Sequence, residues 1–126
     1  MDRSRTLRLL LGAQALYFVV TGVWPIVHGR SFEKVTGPKP EMWLVRTVGA
    51  LVAVIGGTLG LAALRREPPP EVTALAVGSA ASLAAVDAIY VARRRIAPIY
   101  LLDAVAEAVL IAGYAAQAVA SRRRSR

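Results

Sequence analysis

Hydrophobic positions along the chain fall into four long runs, at about 7–28, 42–64, 71–92 and 96–120. Each run is nearly continuous; none has the short amphipathic period of a water-soluble helix. At 1.5 Å per residue, helices of this length reach roughly 33–38 Å, enough to cross a hydrocarbon core of about 30 Å with some tilt. The pattern predicts an all-α fold, an integral membrane four-helix bundle made of two antiparallel transmembrane hairpins. The chain of 126 residues reads as one transmembrane domain, with residues 121–126 (SRRRSR) as a disordered basic C-terminal tail. The first run continues to Val27 without a cleavage-like break, so it is expected to stay as a span.

Polar stretches between the runs set the connections. Residues 29–41 (GRSFEKVTGPKPE) form the one substantial loop, and residues 65–70 (RREPPP) form a short stiff link. Residues 93–95 (RRR) are a tight link that makes the last two spans antiparallel neighbours. Pro98 is expected in the first turn of the last span, where its missing N–H costs little.

Composition narrows the chemistry. Cysteine is absent, which excludes disulfides and thiolate metal sites, and His28 is the single histidine. No metal site and no cofactor is expected. A net charge of +8 is common among nucleic-acid-binding proteins, but here the basic residues cluster at the edges of the apolar runs. That placement suits lipid headgroups, so the expected partner is the lipid bilayer and not nucleic acid. One side carries nine basic residues (Arg3, Arg5, Arg8, Arg65, Arg66, Arg122, Arg123, Arg124, Arg126). The other carries six (Arg30, Lys34, Lys39, Arg93, Arg94, Arg95). The bias puts both termini in the cytoplasm.

Charged residues inside the runs are the unusual feature. Arg46, Asp87, Asp103 and Glu107 come from three spans and fall in the same half of the bilayer. At about 2.5–3.5 kcal/mol per central charge, such groups must be paired, protonated or wet. Arg46 is expected to pair with Asp87 or Asp103. One cation cannot neutralise three acids, and Glu107, deepest and furthest from Arg46, is the candidate proton carrier. In the last span Tyr100, Asp103, Glu107 and Tyr114 share a stripe; in the first, Gln14, Tyr17, Thr21, Trp24 and His28 do. A cavity lined by Arg46, Asp87, Asp103, Glu107, Tyr100 and Thr21 follows, fit to bind or translocate a small ligand with a proton. Trp24 and Trp43 read as residues of the interfacial aromatic belt.

Small residues mark packing. Gly56 and Gly60 form a GxxxG pair, and Gly78 and Ser82 continue a strip from Ala74. These predict close helix contacts, within the chain or across a homodimer, and the third span is expected to be the most enclosed. Two other readings stay open: a non-catalytic scaffold whose charges only specify packing, and a membrane enzyme acting on a lipidic substrate. No motif identifies a reaction.

The segment FEKVTGPKPEMWLVRTVGALVAVIGG, Phe32 to Gly57, together with the four-span plan, resembles small bacterial inner-membrane proteins, broadly the DoxX-like group. The resemblance implies a multi-pass inner-membrane location and a four-helix fold; the group has no settled common chemistry. Small multidrug transporters need a carboxylate in the first span, which is absent here.

Overall fold

The computed structural model describes residues 3–124, and the described residues form five helices. They are α1 (Arg3–Val27), α2 (Gly29–Thr36), α3 (Met42–Ala63), α4 (Pro70–Ala92) and α5 (Tyr100–Arg124). Four of them, all but α2, are long and apolar enough to cross a membrane. Their outer surfaces carry large exposed side chains such as Leu16, Leu51, Leu61, Leu102 and Val109. In water that surface would aggregate; against acyl chains it costs nothing. The chain is a multi-pass membrane protein.

Two antiparallel hairpins make the bundle. The first pairs α1 with α3, and the second pairs α4 with α5. The hairpins meet chiefly along α1 and α5, so α1 touches both partners and is the most enclosed helix. This corrects the expectation that the third span would be. That expectation rested on its many Ala residues, but Ala74, Gly78 and Ser82 lie on the exposed side of α4.

The α1–α3 seam is close because glycines remove the side chains that would separate the backbones. A Cβ on Gly22 would run into the Gly49 carbonyl and come to 2.8 Å of Ala53 N. A Cβ on Gly49 would lie 3.2 Å from Pro25 Cγ, and one on Gly56 only 2.8 Å from Phe18 Cβ. Gly60 makes ordinary contact with Ala15. The GxxxG face is thus used within the chain.

Helix ends explain the remaining boundaries. Pro70 takes the first turn of α4. At the other end Arg94 has φ 58°, Arg94 N bonds Val91 O (3.0 Å), and Arg95 N bonds Tyr90 O (2.8 Å). This is a Schellman stop with Arg where glycine is usual. The following link runs to residue 99: Tyr100 N, Leu101 N and Leu102 N bond back to Ala97, Pro98 and Ile99 carbonyls. Pro98 therefore sits in a lead-in turn, ahead of the helix, and α5 starts four residues later than expected. At its far end α5 continues to Arg124, so most of the expected disordered tail is helical; residues 125–126 lie outside the described residues, as do residues 1–2.

The largest departure is α2, in a segment expected to be a loop. His28 caps it, accepting at Nδ1 from Ser31 N (3.3 Å), and Gly37 ends it at φ 97° with its N–H on Glu33 O (2.7 Å). Trp24 docks it: Nε1 donates to Ser31 Oγ (2.8 Å), and the indole meets Phe32 edge-on at 5.3 Å. Trp24 therefore holds this helix over the end of the bundle, beyond any role in an aromatic belt. Trp43, by contrast, is 65% exposed and donates to Glu41.

Candidate functional site

The two halves of the bundle are built differently. Towards the termini, Leu11, Ala15, Leu59, Ala62, Ala76 and Tyr114 form a dry core. At its edge the fully buried Gln14 donates from Nε2 to Ala76 O (2.9 Å) and accepts at Oε1 from Tyr114 Oη (2.8 Å). Three helices, α1, α4 and α5, are tied by that one side chain.

The other half holds a cleft of about 540 Å³. Its floor is α1 (Tyr17, Phe18, Thr21), its walls are α3 (Leu44, Val48) and α5 (Tyr100, Asp103, Glu107), and α2 roofs it with Phe32, Val35 and Thr36. The lining is mostly apolar, and its polar groups gather at the deep α5 side. α3 and α5 barely meet; the cleft is the space they leave.

The acids converge as the spacing implied. Tyr17 Oη donates to Asp103, and Asp87 and Glu107 are its acidic neighbours. Carboxylates are acceptors only, so a hydrogen bond between any two of them requires a proton on one. As anions, Asp87 Oδ2 and both oxygens of Glu107 have no partner. Glu107 is fully buried and Asp87 is 6% exposed. Asp103 occupies the first turn of α5, nearer the membrane surface than a helix from residue 96 would place it. A helix N-terminus is where a negative charge is best tolerated.

Arg46 does not join them. Its Nε donates to Pro25 O (3.3 Å) at the end of α1, and it lines a separate surface pocket with His28, Arg30 and Glu33. Among the described residues it makes no ion pair with Asp87 or Asp103. The physical reason is the helix end: the last turn of α1 offers orphan carbonyls and the negative end of a dipole, nearer than the acids.

Thr21 lines the cleft, but its hydroxyl donates to Tyr17 O (2.8 Å) on its own helix. Tyr100 stands at the mouth with the Lys39 ammonium 5.1 Å from its ring centroid. Gly78 meets nothing that a Cβ would touch, and Ser82 Oγ returns to Gly78 O (2.8 Å), so neither packs within the chain. Serine back-bonding of this kind leaves no polar demand on a neighbour.

No protein-family model, curated protein or solved structure matches the chain. Beyond the expected set the site adds Tyr17, and the dry core beside it adds Gln14 and Tyr114. The stripe periodicity already put all three on the inner faces; only the pairing across helices was missing.

Proposed function

We propose that the protein is a multi-pass inner-membrane protein whose cleft binds or carries a small, largely apolar ligand, with the carboxyl cluster holding a proton that ligand binding can displace. The supporting observation is Glu107, fully buried beside an apolar cleft that it helps to line and without a partner for either oxygen. A purely structural acid would be expected to have found a donor, because an unsatisfied buried polar group costs about 1–3 kcal/mol. Under this reading Glu107 and Asp103 contact the ligand, Asp87 shares the proton, and Tyr17 positions Asp103. Both termini face the cytoplasm in it, on the charge bias.

The test compares wild type with the Asp103→Asn/Glu107→Gln double variant in mild detergent by native mass spectrometry. A species retained by the wild type and lost from a still-folded variant is the expected result. If neither holds anything and the variant is merely less stable, the acids serve packing alone. The outward strip Ala74, Gly78 and Ser82 on α4 favours that second reading, a scaffold that meets another helix in the bilayer. Its mark would be disulfide crosslinking of Gly78→Cys between copies or to a co-purified protein.

A further inference from the structure

We propose that the ligand of this cleft is a lipophilic ammonium ion, an amine on an apolar body, which enters from the bilayer between α3 and α5 and places its N–H groups on Glu107 and Asp103. This rests on the cleft being a ligand site. Donors and acceptors at the deep end decide what can bind. The hydroxyls at the deep end are already committed: Tyr17 donates to Asp103, and Thr21 donates to Tyr17 O. The unengaged side-chain atoms there are acceptor oxygens, both of Glu107, with Asp87 Oδ2 also unpartnered. With the acids ionised an anion or a carbonyl finds no free donor at that place, whereas a ligand bringing N–H groups satisfies both Glu107 oxygens and replaces the proton that the acids otherwise hold.

Cations of the chain itself stay away. Arg46 is held on Pro25 O and faces another pocket. Lys39 remains at the outer mouth, its Nζ on Thr36 O (2.9 Å) and Gly37 O (3.2 Å) above the Tyr100 ring. A bare metal ion fits poorly, since among the described residues no group of three or more acid or histidine side chains could hold one. The remaining lining favours an organic cation. Tyr17, Phe18, Trp24 and Phe32 present aromatic rings to the cleft, and such rings attract ammonium groups. A volume of about 540 Å³ far exceeds one ammonium, so an apolar body must fill the rest.

The route follows from exposure. Leu44, Val48 and Leu102 border the cleft and are 45%, 52% and 66% exposed on the lipid-facing side. The aqueous end is covered by α2. An amine dissolved in the bilayer reaches the acids between α3 and α5 without passing the cap.

The experiment measures binding of 4-phenylbutylammonium and its neutral analogue 4-phenylbutanol by calorimetry, to the full chain in nonionic micelles, with uptake by empty micelles subtracted. The ammonium is expected to bind about tenfold or more tightly than the alcohol, as a charge-assisted hydrogen bond in a dry site provides. Glu107→Gln should bring the ratio of the two affinities to about one, and Asp103→Asn should lower it in the same direction. The second variant carries the comparison if the first does not fold. Val48→Trp, which fills the cleft, should abolish binding of both. Equal affinities in the wild type, or a preference surviving in the acid variants, overturns the ammonium assignment while leaving the cleft as a ligand site. Binding of neither molecule overturns both.

Discussion

Arg8 and Arg46 enter opposite ends of one helix pair and do the same work there. Arg8 Nε donates to Ala63 O (2.8 Å) at the end of α3, and Arg46 Nε to Pro25 O at the end of α1. Each arginine thus supplies a donor and a positive charge to the carboxyl end of its antiparallel neighbour. Arg46→Met should lower unfolding free energy by about 0.5–2 kcal/mol, read by guanidinium unfolding in micelles, and leave ligand retention unchanged. A loss of ligand with stability intact would return Arg46 to the site. Gln14 is the more demanding side chain. Gln14→Leu strands Tyr114 Oη and takes one donor from the Ala76 carbonyl, and should cost about 1–3 kcal/mol; Tyr114→Phe should cost less, because Gln14 keeps its bond to Ala76.

Glycines in α3 and α4 look alike in sequence and differ at the level of the element. Gly56→Val forces a side chain into Phe18, Ala15 and Val19, and should destabilise the α1–α3 hairpin by about 2–4 kcal/mol. Gly78→Ala meets open space and should be neutral or stabilising by up to about 1 kcal/mol from helix propensity. Equal losses at both sites would mean that the α4 strip is itself a packing face. At the α4 stop, Arg94→Gly relieves a left-handed arginine and should raise stability by about 1 kcal/mol in the same unfolding series. The four spans were legible because twenty-residue apolar runs have few alternatives. The cap α2 was not. Its eight residues start at Gly29 and stop before Gly37-Pro38, and these glycines and the proline mask the spacing of Phe32, Val35 and Thr36. Its stability also comes from Trp24, a contact that no local pattern encodes. The acids were legible as a group in one bilayer half, whereas the fate of Arg46 depended on where α1 ended.

For the whole molecule, the two ends of the bundle are unequal in cover. Chain termini and the 64–69 link lie on one side, and α2 with the 93–99 link on the other. With no native cysteine, single-cysteine labelling can read this directly: Lys34→Cys and Arg66→Cys should react with an impermeant maleimide from opposite sides of sealed inverted vesicles. The charge bias predicts that Arg66→Cys is the one reached from the cytoplasmic face. Labelling of both from one side would break the hairpin topology.

The Gln14 junction has a mechanical consequence. The first hairpin is seamed by backbone contact along α1 and α3, and the second crosses it along α1 and α5. Gln14 sits where the dry core ends and the cleft begins, bonded to α4 and α5 at once. It is the fulcrum of a clothes-peg: below it the jaws are glued by apolar packing, above it they are joined by Tyr17 on Asp103 and by whatever proton the acids share. If the proposed ligand or proton enters the cleft, the strain falls on the upper jaws, where packing is thinnest, and not on the glued end.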